Sequence, residues 1–160
     1  MTGPALLIGL YVLAWASSAQ PQSYFHNFAL VWGSDALPPG ATVQNCDFSD
    51  LDLRDVDVSG ASITDSRFVR SNLRNARFVS ARIQGCDLTG ANLDSSNWHS
   101  AQIEGSTLDS VTCNRADFQL TSFEGEPPSS PGLPTNFRMA DCPGANFWKS
   151  EIEGVDMSRT

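Results

Sequence analysis

The chain has 160 residues and carries 18 acidic against 10 basic side chains, which gives a formal net charge of −8. This length suits a single domain, and a hydrophobic fraction of 41% is too high for a disordered chain. A sequence pI of about 4.5 disfavours nucleic acid as a direct partner, because phosphate binding requires a basic surface.

The N-terminal segment is uncharged and apolar. Residues 1–34 contain no Asp, Glu, Lys or Arg, and Ala5–Ala16 forms a continuous apolar run. The small residues that follow favour a secretory signal sequence over residues 1–19, although no basic residue precedes the run. The alternatives are a retained membrane anchor, which would be short for a bilayer, and a buried helix of a soluble protein. Either a signal or an anchor places the rest of the chain outside the cytoplasm, in the periplasm, at the cell surface or in a thylakoid lumen.

Residues 20–40 come directly before a repeating segment and are rich in large apolar side chains. Without a covering segment, the first unit of a repeat protein would expose apolar side chains and unpaired backbone groups. We therefore predict that residues 20–40 form an N-terminal cap, with these apolar members: Tyr24, Phe25, Phe28, Leu30, Val31 and Trp32.

From Ala41 onward the sequence repeats in units of five, with 17 consecutive pentads and five more after an interruption, 22 in all. The third residue of each pentad is always apolar, the first is small in 21 of 22, and the last two favour turns. First and third residues of an extended segment point the same way. The pattern therefore predicts a solenoid in which each pentad forms one side of a coil.

Every fourth pentad carries similar side chains, which predicts four pentads per coil and 22/4 = 5.5 coils. The third-position columns are aliphatic, aromatic and uniformly Leu: Val43, Ile63, Ile83 and Ile103; Phe78, Trp98 and Phe118; Leu53, Leu73 and Leu93.

This pattern resembles the pentapeptide-repeat family, whose motif A(D/N)LXX appears as ANLDS at 91–95, CDLTG at 86–90, ADFQL at 116–120 and ANFWK at 145–149. The resemblance spans about residues 41–159. It implies an all-β fold, a right-handed quadrilateral parallel β-helix whose coils are separated by the ordinary strand spacing of about 4.8 Å. It does not fix the function, because members of the family serve unrelated roles.

Residues 124–136 interrupt the repeat and are rich in proline, which lacks the N–H that a strand ladder needs. In an unbroken repeat Phe123 and Phe137 would be one pentad apart, so we expect the nine extra residues between them to form a loop at one corner. The register should continue beyond it, with Phe147 in the aromatic column and Ile152 in the Ile column. The loop is either a tolerated insertion or a recognition element, whose candidate contacts are Pro127, Pro128 and Pro131.

The last full coil carries outward apolar residues at Met139, Pro143 and Trp148, which we predict to form a partner-binding surface. The alternative is incidental exposure of a single Trp. Since the chain stops at Thr160 directly after the last pentad, we also expect its final coil to be frayed, paired in a dimer, or covered by a partner.

The four cysteines all occupy inward positions. Cys46 and Cys86 are two coils apart, too far for a bridge, whereas Cys113 and Cys142 share a column on adjacent coils and could form a disulfide. The alternative is that they are free thiols acting as small apolar side chains. Scattered thiols and only two histidines do not predict a metal or cofactor site, and no nucleophile motif is present, so we expect no enzyme activity.

Charges alternate between coils, since coil one (41–60) has a net charge of −4 and coil two (61–80) of +3. Asp57 should lie above Arg77, and we interpret this alternation of charge as ion pairing that supports the structure.

Two functions fit these features. The first is a non-catalytic protein-binding or scaffold module outside the cytoplasm, accessory to a membrane complex if residues 1–20 stay in the membrane. The second, implied by the family resemblance, is an acidic DNA mimic of the kind that protects DNA gyrase from quinolones. The basic residues between Arg67 and Arg82 interrupt the acidic surface and disfavour this second function.

Overall fold

The computed structural model describes residues 39–124, 135–152 and 155–160. The predicted signal sequence or anchor, the predicted cap except for residues 39–40, and loop residues 125–134 with their prolines lie outside these ranges. Within them, no helix is long and apolar enough to cross a membrane.

One side of the coil consists of five short strands that pair in parallel in chain order. Each pairs with the next strand along the chain, four pentads further on, so that Val43 lies beside Ile63 and Ile63 beside Ile83. The strands are three residues long because only the central residue points inward, with a polar residue on either side. We call this side face 1, and its strands are β1 Thr42–Gln44, β2 Ser62–Thr64, β3 Arg82–Gln84, β4 Gln102–Glu104 and β5 Ser122–Glu124.

The other three sides are joined by isolated parallel bridges with the same spacing of four pentads. Face 2 contains the bridge from Asp47 to Arg67, face 3 the bridge from Asp52 to Asn72, and face 4 the bridge from Asp57 to Arg77. The predicted four-sided coil, with one pentad on each side, is therefore confirmed.

Each corner turns at the fifth residue of a pentad. All 20 described fifth residues of the pentads have a positive φ, between 48° and 70°, and 15 of them are not glycine. Asn and Asp tolerate this left-handed conformation better than most residues, which explains their frequency in the sequence at these positions.

The interior is a column of stacked side chains. Phe78 and Trp98 stack with their ring centroids 3.9 Å apart, and Phe118 continues the column 5.9 Å from Trp98. The Trp98 indole N–H donates to the Ser96 hydroxyl at 2.8 Å, so this fully buried ring leaves no polar group without a partner. The predicted aromatic column is confirmed.

The register continues across the loop as predicted. Bridges that cross it, such as the one between Thr112 and Asp141, join positions separated by four pentads plus the nine inserted residues. Phe147 stacks on Phe118 at 4.9 Å, and the bridge from Ser122 to Glu151 places Ile152 beside Phe123. We call residues 39–124 the main stack and the described residues from 135 to 160 the terminal segment.

The terminal segment is less well covered than the main stack. It completes coil five and adds two sides of a sixth coil, through the bridge from Asn136 to Asp156. Phe137, which lies above that half coil, is 1% exposed, whereas Cys142 and Phe147 are only partly buried and Ile152 is 44% exposed.

Candidate partner-binding surface

Three of the four faces use their outward polar side chains to close their own turns. The second residue of many pentads is Asp or Asn, and its Oδ1 accepts a hydrogen bond from the backbone N–H of the fourth residue. This contact is 3.0 Å from Ser59 to Asp57 and 2.9 Å from Asp94 to Asn92. A hydrogen bond from the Ser59 hydroxyl, together with the bond from this backbone N–H, lowers the pKa of Asp57 below its usual value.

Face 1 is different, because no Asp or Asn occupies the second position of its pentads. Its outward side chains contact one another across strands instead. Arg82 pairs with Glu104 at 3.3 Å, and the Ser122 hydroxyl donates to Glu151 at 3.4 Å. Face 1 is therefore a parallel sheet whose second-position side chains do not close their own turns in this way.

The corner that follows face 1 is held by a column of small hydroxyl and thiol side chains. The backbone N–H of Cys46 donates to the Ser66 hydroxyl, and that of Cys86 to the Ser106 hydroxyl, both at 3.1 Å on the next coil. At most other corners the corresponding N–H donates within its own turn, as from Ala61 to the Val58 carbonyl at 3.0 Å. At these two places the corner is therefore held by a hydroxyl at the first position of face 2, whereas in coil six Val155 fills that position and its N–H donates to the Ile152 carbonyl at 3.4 Å.

The corner that precedes face 1 carries an exposed apolar group. Trp148 is 58% exposed and Leu120 is 44% exposed, and the Leu120 N–H donates to the Trp148 carbonyl at 3.1 Å. The Lys149 ammonium lies 4.3 Å from the centroid of the Trp148 ring, a cation–π contact that favours one ring orientation. We call Leu120, Trp148 and Lys149 the Trp148 corner.

The structure does not bring the three predicted apolar residues to one surface. Met139 is 57% exposed but turns the corner from face 2 to face 3, and Pro143 lies at the next corner, from face 3 to face 4. Trp148 instead meets Leu120, and Ile152 follows it on face 1. The predicted loop contacts Pro127, Pro128 and Pro131 lie outside the described residues.

The cysteines fall into two pairs. Cys113 and Cys142 lie on adjacent coils with their Cα atoms 4.4 Å apart, and their sulfur atoms are joined in the structure. Cys46 and Cys86 are buried free thiols. Burial raises the pKa of Cys86 to about 11. Among the described residues, no group of three or more His, Cys, Asp or Glu side chains could hold a metal ion.

The predicted ion pair between coils one and two is present but loose, with 3.7 Å between Asp57 and Arg77. A closer pair, which the sequence analysis missed, joins Asp50 and Arg70 in a bidentate contact of 2.7 Å at a corner. Both pairs are exposed to solvent, so each contributes little to stability. They help to fix the register more than they stabilise the fold.

These features define the protein as a repeat protein of the parallel β-helix class, with a sealed interior and outer surfaces available for contact. A family model for the pentapeptide repeat region matches residues 41–125, more than half of the chain, and the chain belongs to the pentapeptide-repeat family. Proteins of this family are in general structural or binding modules rather than enzymes.

Several solved structures are similar to the chain at low sequence identity. A pentapeptide repeat protein, Rfr23, from the cyanobacterium Cyanothece 51142 has 15% identity and a TM-score of 0.46, over 82% of this chain and 92% of that one. A pentapeptide repeat protein from the Arabidopsis thaliana thylakoid lumen has 20% identity and a TM-score of 0.40, over 78% and 70%. QnrB1, a plasmid-mediated fluoroquinolone resistance protein, has 21% identity and a TM-score of 0.40, over 75% and 67%. No curated protein matches the sequence significantly.

Proposed function

We propose that this protein is a non-catalytic binding module that holds a protein partner at the Trp148 corner and the adjoining part of face 1. The observation that carries the proposal is the 58% exposure of Trp148 beside Leu120, which is 44% exposed. Trp is the residue type most enriched among those that dominate binding energy, and such residues are typically surrounded by weaker contacts that exclude water.

The geometry around Trp148 suits a contact that forms without rearrangement. Its backbone N–H donates to Asn146 Oδ1 at 3.1 Å, and its carbonyl accepts the bond from Leu120. Directly before it, Phe147 stacks on the buried Phe118. While the terminal segment is docked, these bonds hold the backbone at Trp148, so binding costs little further backbone entropy, which favours affinity.

We propose that the module works outside the cytoplasm. The support is the uncharged segment 1–34 with its apolar run Ala5–Ala16, typical of an export signal or anchor. A disulfide between Cys113 and Cys142 agrees with an oxidising compartment.

The charge distribution favours a protein partner over mimicry of DNA. A mimic requires a continuous acidic surface, but coil two presents four exposed arginines, Arg67, Arg70, Arg74 and Arg77. Only two of them, Arg70 and Arg77, face a carboxylate of coil one in a described ion pair.

The test is purification of the protein with its native partner, followed by binding measurements on the purified complex. Trp148→Ala should weaken binding by about tenfold to a hundredfold, which corresponds to a loss of about 1.4–2.8 kcal/mol of binding free energy. Met139→Ala is the matched control, because Met139 is equally exposed, at 57%, on another corner. Equal affinity of the Trp148→Ala variant and the wild type would refute the proposed site. Sequencing the mature N-terminus of the same sample tests whether residues 1–19 are removed.

A further inference from the structure

We propose that Cys113 and Cys142 form a redox clamp that holds the terminal segment on the main stack and thereby completes the Trp148 corner under oxidising conditions. Its effect on a partner depends on the function proposed above, but its effect on the terminal segment does not.

The first support is the position of the two cysteines. They continue the column in which the three preceding coils carry Leu53, Leu73 and Leu93. The side chain changes from Leu to Cys in the two coils that lie on either side of the loop. The pair has a sequence separation of 29 and a Cα–Cα distance of 4.4 Å, so the bond closes the loop.

The second support is that, on faces 3 and 4, the described part of the terminal segment packs against a neighbouring coil on one side only. Cys113 is fully buried, but Cys142 and Phe147 are partly exposed, and Ile152 of coil six is 44% exposed. Elements with few buried apolar contacts open locally at low free-energy cost. Docking the segment also has to close the long connection between the two cysteines, and a covalent bond removes the entropic cost of that closure.

The third support is that the clamp controls one half of the Trp148 corner. Leu120 belongs to the main stack, whereas Trp148 and Lys149 belong to the terminal segment. The backbone hydrogen bond of 3.1 Å between Leu120 and Trp148 crosses from one part to the other. If the terminal segment detaches, the corner separates into its two halves.

The chemistry is thiol–disulfide exchange. On closing, the two thiols lose two protons and two electrons and form one sulfur–sulfur bond, while a disulfide donor such as glutathione disulfide takes up both and becomes two thiols. The other two cysteines do not take part. Cys46 and Cys86 lie on coils one and three, with the Ser66 hydroxyl of coil two accepting the Cys46 N–H between them.

The experiment is limited tryptic digestion of the full chain, first equilibrated with glutathione disulfide and then reduced with dithiothreitol. Reduction should increase the rate of cleavage after Lys149 at least tenfold, because cleavage needs local opening of the terminal segment. Cleavage after Arg74, in coil two, is the internal control and should not change. This comparison needs no substitution, so it does not depend on whether a variant folds.

Two variants assign the effect to the correct cysteines. C113S/C142S should be cleaved rapidly after Lys149 under both conditions. C46S/C86S should keep the redox dependence, because Ser already occupies the same column at Ser66 and Ser106. Equal rates of cleavage after Lys149 in the oxidised and the reduced wild type would overturn the clamp, as would four free thiols in the protein equilibrated with glutathione disulfide. Neither result involves a partner, so failure of the clamp is distinguishable from failure of the proposed binding site.

Discussion

The hydroxyl column at the corner after face 1 allows a quantitative test of how this fold is held together. Ser106 is fully buried, accepts the backbone N–H of Cys86 at 3.1 Å, and donates to the Glu104 carbonyl at 3.1 Å. Replacing Ser106 with Ala removes both contacts and leaves a buried N–H without an acceptor.

The magnitude follows from the state of that N–H. An unsatisfied buried donor costs about 1–3 kcal/mol, so we expect Ser106→Ala to lower the free energy of unfolding by about 2 kcal/mol. For a chain of this length, that corresponds to a decrease in Tm of about 4–8 °C. Ser106→Thr should lose much less, since Thr135 fills the same position in the next coil and accepts the Ser106 N–H.

The assay is thermal and denaturant unfolding followed by circular dichroism, with Ser71→Ala as the matched control. Ser71 is also a buried first-position serine, but its hydroxyl only donates, to the Phe68 carbonyl at 2.8 Å, and that carbonyl also accepts the Ser71 N–H at 3.1 Å. We expect Ser71→Ala to cost less than about 1 kcal/mol. If the two alanine variants are equally stable, the hydroxyl column does not hold this corner.

Two further predictions concern titration. Cys46 and Cys86 should react slowly with a thiol reagent at pH 8, because burial raises the pKa of both thiols. Unfolding the protein without a reductant should expose these two thiols and no others. Rapid reaction of the native protein would contradict this prediction. The lowered pKa of Asp57 means that its contribution to stability is present above the unfolded pKa of about 3.9 and is lost as the pH falls through the lower folded value. Asp57→Asn keeps the Oδ1 acceptor but has no carboxylate to protonate. Denaturant midpoints should therefore fall less between pH 5 and pH 3 in this variant than in the wild type. An equal fall in both proteins would contradict the role of this carboxylate.

Much of the fold could be predicted from sequence because the five-residue pattern is repeated 22 times, and each repeat adds independent support for one register. The prolines after Phe123 could not belong to a strand, and the renewed pattern from Thr135 fixed the number of inserted residues. The structure has the same register on both sides of the loop.

The corner after face 1 could not be predicted from this pattern alone. Cys46, Ser66, Cys86, Ser106 and Thr135 are small, as are most first-position residues, and size was the only property that the pattern required. The signal that could have distinguished them is chemical, because in coils one to five every member of this column carries a hydroxyl or thiol, whereas Val155 fills the position in coil six and first positions elsewhere include Ala, Val and Leu.

The candidate site was predicted less well than the fold. The repeat pattern identifies the outward positions, but it does not show which outward residues of one coil share a corner. In a four-sided coil, consecutive corners are separated by a whole face, so Met139 and Trp148 lie at corners two faces apart, while Leu120 of the preceding coil donates a backbone hydrogen bond to Trp148. Exposed side chains in this fold should therefore be grouped by corner and not by coil.

The most direct test of the binding account is photo-crosslinking in the native cell, with benzoylphenylalanine placed at position 148 or at position 139. The account predicts a specific covalent adduct with one protein from position 148 and none from position 139, although both side chains are similarly exposed. An adduct from position 139 alone, or no adduct from position 148, would contradict the account.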